Sequence, residues 1–163
     1  MENAKAQLKK FKELINEIKT CILITKSAEG KLRGRPMATA KVEEDGTIWF
    51  FTNEYSGKAE EISHQHEILL SYASPSKNSY VVLSAKAVLS DDKKKIKELW
   101  NPILKAWFPE GLNDPKILLV KADPEEVEYW DSNANKIVIL FNKLKAAVTG
   151  KQYDEGDHGK LSV

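Results

Sequence analysis

Cysteine occurs once in this 163-residue chain, at Cys21, so no intrachain disulfide can form. No uninterrupted apolar run reaches membrane-spanning length, and the first residues lack the apolar core and cleavage site of a secretion signal. The net charge is only +1, which provides no broad field for nucleic acid or an anionic membrane. There are three histidines; His64 and His66 stand two apart, a spacing that does not share a helical face, and no further ligand is near, so the pattern points away from a metal site. No P-loop, GxGxxG or Ser–His–Asp set is present. These absences leave a cytoplasmic protein with an ordinary soluble composition, 30% charged and 42% hydrophobic. The most informative scarcity is arginine. Of 25 basic residues only two are arginine, Arg33 and Arg35, and none follows them.

Arginine's planar fork grips phosphate or carboxylate at two points, which lysine cannot do. Two arginines at i, i+2 project from one face of a strand. Downstream, TIWFFTN reads as a strand of β-branched and aromatic residues, and NEYSG as a turn. Ser56 suits the N-cap of a helix opening at Gly57, with Lys58 in its first turn. A cation there opposes the helix dipole unless an anion lies on the free N–H groups. Each feature alone has a plainer reading: a solvated strand face, a simple cap, a surface lysine. Together, in a strand–turn–helix setting, they indicate a phosphate site within residues 33–61.

At 163 residues the chain reads as one domain over 1–150, followed by a polar tail, 151–163. Helical spacing of Leu8, Phe11, Ile15 and Ile18 predicts an amphipathic helix over 4–19. Strands are expected at 21–26 and 32–42, the second carrying Pro36, which belongs at an edge or bulge. EEDG turns a hairpin into TIWFFTN. Further strands fall at 67–75 and 79–90; the latter alternates cleanly, Val81, Leu83, Ala85, Ala87 and Leu89 sharing one face, and its length suits a curved barrel. Residues 96–107 have helical spacing interrupted by Pro102, so a kink or two short helices follow, with Asn101 capping the second. Residues 116–122 and 125–130 read as two strands, and 136–148 as a helix stopped at Gly150. Cys21, in an apolar run, reads as a buried structural thiol.

The stretches RGRPMAT, WFFTNEYSGKAEEI, ELWNPILKAWFPEG with NDPKILL, and VEYWDS, in that order, resemble the general stress protein 26 family, within the pyridoxamine 5′-phosphate oxidase-like flavoproteins. The resemblance runs from about residue 8 to Gly150. It implies a mainly β protein with added helices: a six-stranded antiparallel Greek-key split barrel that forms a homodimer with FMN between subunits. Carried over by position, it places Arg35, Pro36 and Met37 beside the flavin. It sets Phe51 and Thr52 at the end of the third strand, and Ser56, Gly57 and Lys58 in the phosphate loop. Arg35 and Lys58 would pair with the phosphate, Ser56 would add a neutral donor, and Pro36 and Met37 would face the ring. Arg33 ranks below Arg35, being nearer the strand start.

Trp100, Trp107, Phe108 and Trp130 could stack on a ring or simply pack a core. Trp107 and Phe108 sit in WFP at a helix end, where an aromatic can overhang a neighbouring subunit, and are kept as candidates. Two departures set the chain apart from the parent oxidases: Gly57 replaces the first of their two adjacent basic residues, and their C-terminal arginines have no counterpart. The resemblance therefore implies an FMN-dependent oxidoreductase of unknown substrate linked to general stress, not one acting on pyridoxamine phosphate. A flavin-binding protein without turnover is the alternative, and a cofactor-free structural dimer a third.

Overall fold

The computed structural model describes residues 2–53, 57–64, 66–130 and 136–149. Helix α1 (Glu2–Ile18) buries Phe11, Leu14 and Ile15 and ends at Lys19, which takes a left-handed conformation (φ 67°). The chain then runs through β1 (Thr20–Lys26), β2 (Leu32–Ala38), β3 (Lys41–Val42), β4 (Ile48–Asn53), α2 (Gly57–His64), β5 (Glu67–Ser74) and β6 (Ser79–Ser90). It continues through α3 (Lys93–Leu99), β7 (Ile117–Trp130), β8 (Lys136–Leu140) and α4 (Phe141–Thr149). All eight strands join one antiparallel sheet in the order β2-β1-β5-β6-β7-β4-β3, with β8 on β7. Strands far apart in sequence, β1 with β5 and β4 with β7, are neighbours, as a Greek key requires.

The sheet must curl. Strands β2 and β3 stand at opposite ends of the order, yet only Thr39 and Ala40 separate them in the chain. Two residues span at most about 7 Å. The backbone shows the crossing directly: Thr39 N–H donates to Lys19 O, at the foot of β1, and Ala40 N–H to Trp49 O on β4, both at 2.8 Å. The result is a split barrel whose seam lies at residues 39–40. The expected single strand over 32–42 is thus two strands on opposite edges. Pro36, paired opposite Ile22 on β2, costs no ladder bond because β2 is an edge.

Three other expectations change. Among the described residues the sheet has eight strands rather than six, the additions being the two-residue β3 and the short β8. Residues 117–130 form one strand, not two, with a register shift where Ala85 faces Pro124 and Ser84 faces Glu126. This bulge absorbs the extra residue and bends the strand, so β7 pairs with β4 through its first half and with β8 through its second. Residues 136–140 are strand rather than helix: the Ile137–Val138–Ile139 run joins the free edge of β7, and the helix starts only at Phe141.

Strand β4 is buried on both faces, which explains its unbroken apolar run. Ile48 and Phe50 enter the barrel core with Leu23, Leu70, Tyr72, Val81 and Leu83, under α1 and α4. Trp49 joins a second cluster with Ile96, Phe108, Ile117 and Leu119, which seats α3 on the outside. Cys21 is buried as expected, and burial pushes its thiol pKa up to about 12, so it is inert.

The hairpin at 43–46 closes through Glu43 N–H to Thr47 O (2.8 Å) and Gly46 N–H to Glu43 O (3.0 Å). Gly46 has φ 94°, and a Cβ there would stand 2.4 Å from Cε1 of Phe141. Gly46→Ala therefore meets a strained backbone and a fixed ring together. A loss of about 1–3 kcal/mol is expected in urea unfolding; an unchanged midpoint would show that the turn relaxes freely.

Candidate functional site

A cleft of about 610 Å³ opens along the barrel seam. One wall is β2 and the crossing, from Arg35 through Met37 to Ala40; another is the end of β4, Phe51 to Asn53, with Lys58 of α2. The third is the end of α3 and the segment after it, comprising Leu99, Asn101, Ile103, Leu104, Trp107 and Phe108. Pro102 ends α3 early, and the Asn101 side chain accepts from Ile103 N–H at 3.1 Å to open a short 3-10 turn over Pro102–Ala106. Phe51 fixes this segment, its ring lying 6.3 Å from that of Trp100 and 6.4 Å from that of Phe108.

Eight of the ten residues singled out in the sequence line this cleft: Arg35, Pro36, Met37, Phe51, Thr52, Lys58, Trp107 and Phe108. Gly57 opens α2 as expected. Ser56 lies outside the described residues, as do Gly150 and the tail. Trp107 is 66% exposed and Phe108 only 4%, so within this chain Phe108 is a wall and Trp107 a rim. Trp100 belongs to the packing around α3; Trp130 lies on β7 under the Lys136 ammonium.

The cations converge at one end. Lys58 Nζ donates to Thr52 Oγ1 at 2.8 Å. Burial, and secondarily the charge of Arg35, hold the Lys58 pKa below the usual lysine range. Arg35 Nη1 donates to Thr25 Oγ1 at 2.7 Å and its Nη2 to Glu61 Oε2 at 3.2 Å. Arg33 Nη1 reaches Glu61 Oε1 at 3.4 Å. The Thr25 hydroxyl also donates to Glu61 Oε2. Part of the anion implied by the arginine pair is therefore the protein's own carboxylate. Among the described residues three cations stand against one carboxylate at this corner, and Lys58 has no carboxylate partner.

Sequence reasoning missed Glu61 and Thr25. Glu61 carried a usable signal, since it stands three residues after Lys58 and so shares its helical face. Thr25, 36 residues from Glu61, carried none. The wall at 99–104 was legible as a capped, kinked helix but not as part of a site.

Comparison with known proteins agrees with this architecture. A crystal structure from Clostridium acetobutylicum, described as related to general stress protein 26 of the pyridoxinephosphate oxidase family, superposes with a TM-score of 0.74. It is 18% identical and covers 86% of this chain and 98% of its own. The general stress FMN/FAD binding protein of Xanthomonas citri gives 0.66 at 24% identity, covering 79% and 90%. Protein bli-3 of Neurospora crassa is 27% identical over 134 residues, 77% of this chain and 64% of that protein, so the chain spans under two thirds of that relative. The family model described as pyridoxamine 5′-phosphate oxidase like matches residues 6–154, nearly the whole sequence, and the chain belongs to that family.

Proposed function

We propose that this protein binds FMN in the seam cleft and is an oxidoreductase of the general-stress type, cytoplasmic, with residues 1–150 as its single domain. The observation that carries the reading is the polarity of the cleft. Arg35, Lys58 and the Thr52 hydroxyl meet at one end, while Met37, Leu104 and Phe108 give the remainder a largely apolar surface, with Asn101 and Thr39 among its polar members. A phosphate at the cationic end and a flat ring along the apolar wall match that donor set, and the volume is within the range of small-molecule sites. In this reading Arg35 and Lys58 hold the phosphate charge, with Ser56 adding a neutral donor. Pro36 and Met37 flank the ring, Phe51 braces the wall, and Phe108 with Trp107 limits water access. A bound flavin supplies electron or hydride transfer; the protein contributes position and electrostatics.

A homodimer with FMN at the interface is supported by the apolar rim. Ile103 and Trp107 are 71% and 66% exposed at the cleft mouth, a surface suited to a second copy. Sedimentation followed at the flavin's visible absorbance tests both claims together. A yellow species of twice the monomer mass is expected, with FMN identified by mass spectrometry of the released cofactor. Colourless protein that stays colourless after mixing with FMN and desalting would defeat the flavin claim, and a yellow monomer the dimer claim.

A flavin-binding protein without turnover is the second reading. Among the described residues that line the cleft, the ionisable groups are Arg35 and Lys58. Anaerobic stopped-flow mixing with NADH or NADPH separates the two, because a carrier stays oxidised.

A further inference from the structure

We infer that Glu61 is a positioning residue for the phosphate end of the cleft: it fixes the plane of Arg35 from behind without touching the ligand. The inference rests on the FMN reading above. Glu61 is 9% exposed, and a carboxylate buried to that degree stays charged only if it is paired. Burial raises its pKa, but the Thr25 hydroxyl and the guanidiniums of Arg35 and Arg33 outweigh that, and the net direction is downward. The group is thus a fixed anion.

The guanidinium of Arg35 has five N–H donors. One from Nη1 goes to Thr25 and one from Nη2 to Glu61, while the side chain, 20% exposed, also lines the cleft. Two contacts to different end nitrogens define a plane. The remaining N–H groups are thereby aimed without being consumed. Glu61 is not a lining residue, so it acts through Arg35. Its helix also carries Lys58, one turn earlier on the same face, and Lys58 feels the charge of Arg35. Holding two cations close enough for one phosphate entails repulsion, and Glu61 offsets it from the far side. A bidentate contact needs a guanidinium whose orientation is set in advance, because most of arginine's advantage over lysine is geometric.

The competing explanation is a salt bridge that only ties α2 to β1 and β2. Removing Glu61 alone does not separate the two, since the lost negative charge would by itself favour an anion. A double-mutant cycle does, because that charge term is the same whether residue 35 is Arg or Lys. The quantity read is the ratio of FMN to riboflavin affinity. With Glu61 present, Arg35→Lys is expected to lower this ratio roughly ten-fold. In the Glu61→Gln background the same change is expected to lower it less than about two-fold, because the guanidinium is no longer pre-aimed. An equal loss in both backgrounds overturns the inference and leaves Glu61 a staple or a bare charge. Should Glu61→Gln fail to fold, Thr25→Val replaces it. That isosteric change removes the other anchor and is expected to shrink the cost of Arg35→Lys, whereas Thr25→Ser restores it. Full cost in Thr25→Val would overturn the inference equally. Failure of the wild type to prefer FMN over riboflavin would instead bring down the FMN reading, and this inference with it.

Discussion

Arg35→Lys and Lys58→Ala are each expected to weaken FMN binding by roughly ten- to a hundred-fold while leaving riboflavin almost unaffected. The first change keeps the charge and loses the fork. The second removes a charge-assisted contact of about 1.5–3 kcal/mol, which is that range in affinity. Riboflavin lacks the phosphate, so it samples only the apolar wall and serves as the internal control. Lys9→Ala, on the exposed side of α1, should change neither ligand. The pH dependence follows from the same geometry. Burial and Arg35 lower the Lys58 pKa, and only its protonated form attracts the anion. FMN affinity is therefore full below that lowered pKa and declines as pH rises through it, earlier than for an ordinary lysine; a bound phosphate delays the decline by favouring the charged form. Fluorescence titration reads all of this. Equal losses for FMN and riboflavin would mean that neither residue meets a phosphate.

Phe141→Ala is expected to cost about 3–5 kcal/mol of stability, enough to lower the melting temperature by on the order of 10 °C. Phe141 is fully buried, packs edge-on against Phe11 with centroids 4.9 Å apart, and abuts Gly46. One ring therefore joins α1, α4 and the 43–46 turn, and its loss leaves a cavity that three elements border. Val138→Ala on β8, at a side chain 46% exposed, should cost far less. The same ring makes Gly46 sensitive. In the Phe141→Ala background Gly46→Ala should lose its steric part and keep only the cost of positive φ. Additive effects in thermal unfolding would show that the ring and the turn do not meet in solution.

How far the chain could be read in advance depended on the range of the interaction. The alternation of β6 was legible because a strand's two faces are written at period two; Val81, Leu83, Ala85 and Ala87 are all buried. The Asn101 cap and the turn at 43–46 were legible for the same reason, being made within a few residues. The break at 39–40 was not, because residues 32–42 have one continuous strand pattern. Only the closing of the barrel sends β2 to one edge and β3 to the other. Nor was β8, whose residues fit helical spacing until the second half of β7 offers them a free edge.

The candidate site divides along the same line. Sequence alone determined its chemistry: two arginines in an otherwise lysine-only chain, a lysine opening a helix, and apolar partners on an edge strand. These are properties of residue type and local spacing. Tertiary structure decided what each charge meets. It set Glu61, 26 residues along the chain from Arg35, behind that arginine, and it folded residues 99–108 over the seam as the apolar wall. A charge's partner is chosen by which strands and helices pack together, and that choice is made by the burial of the whole barrel rather than by the residues around the charge.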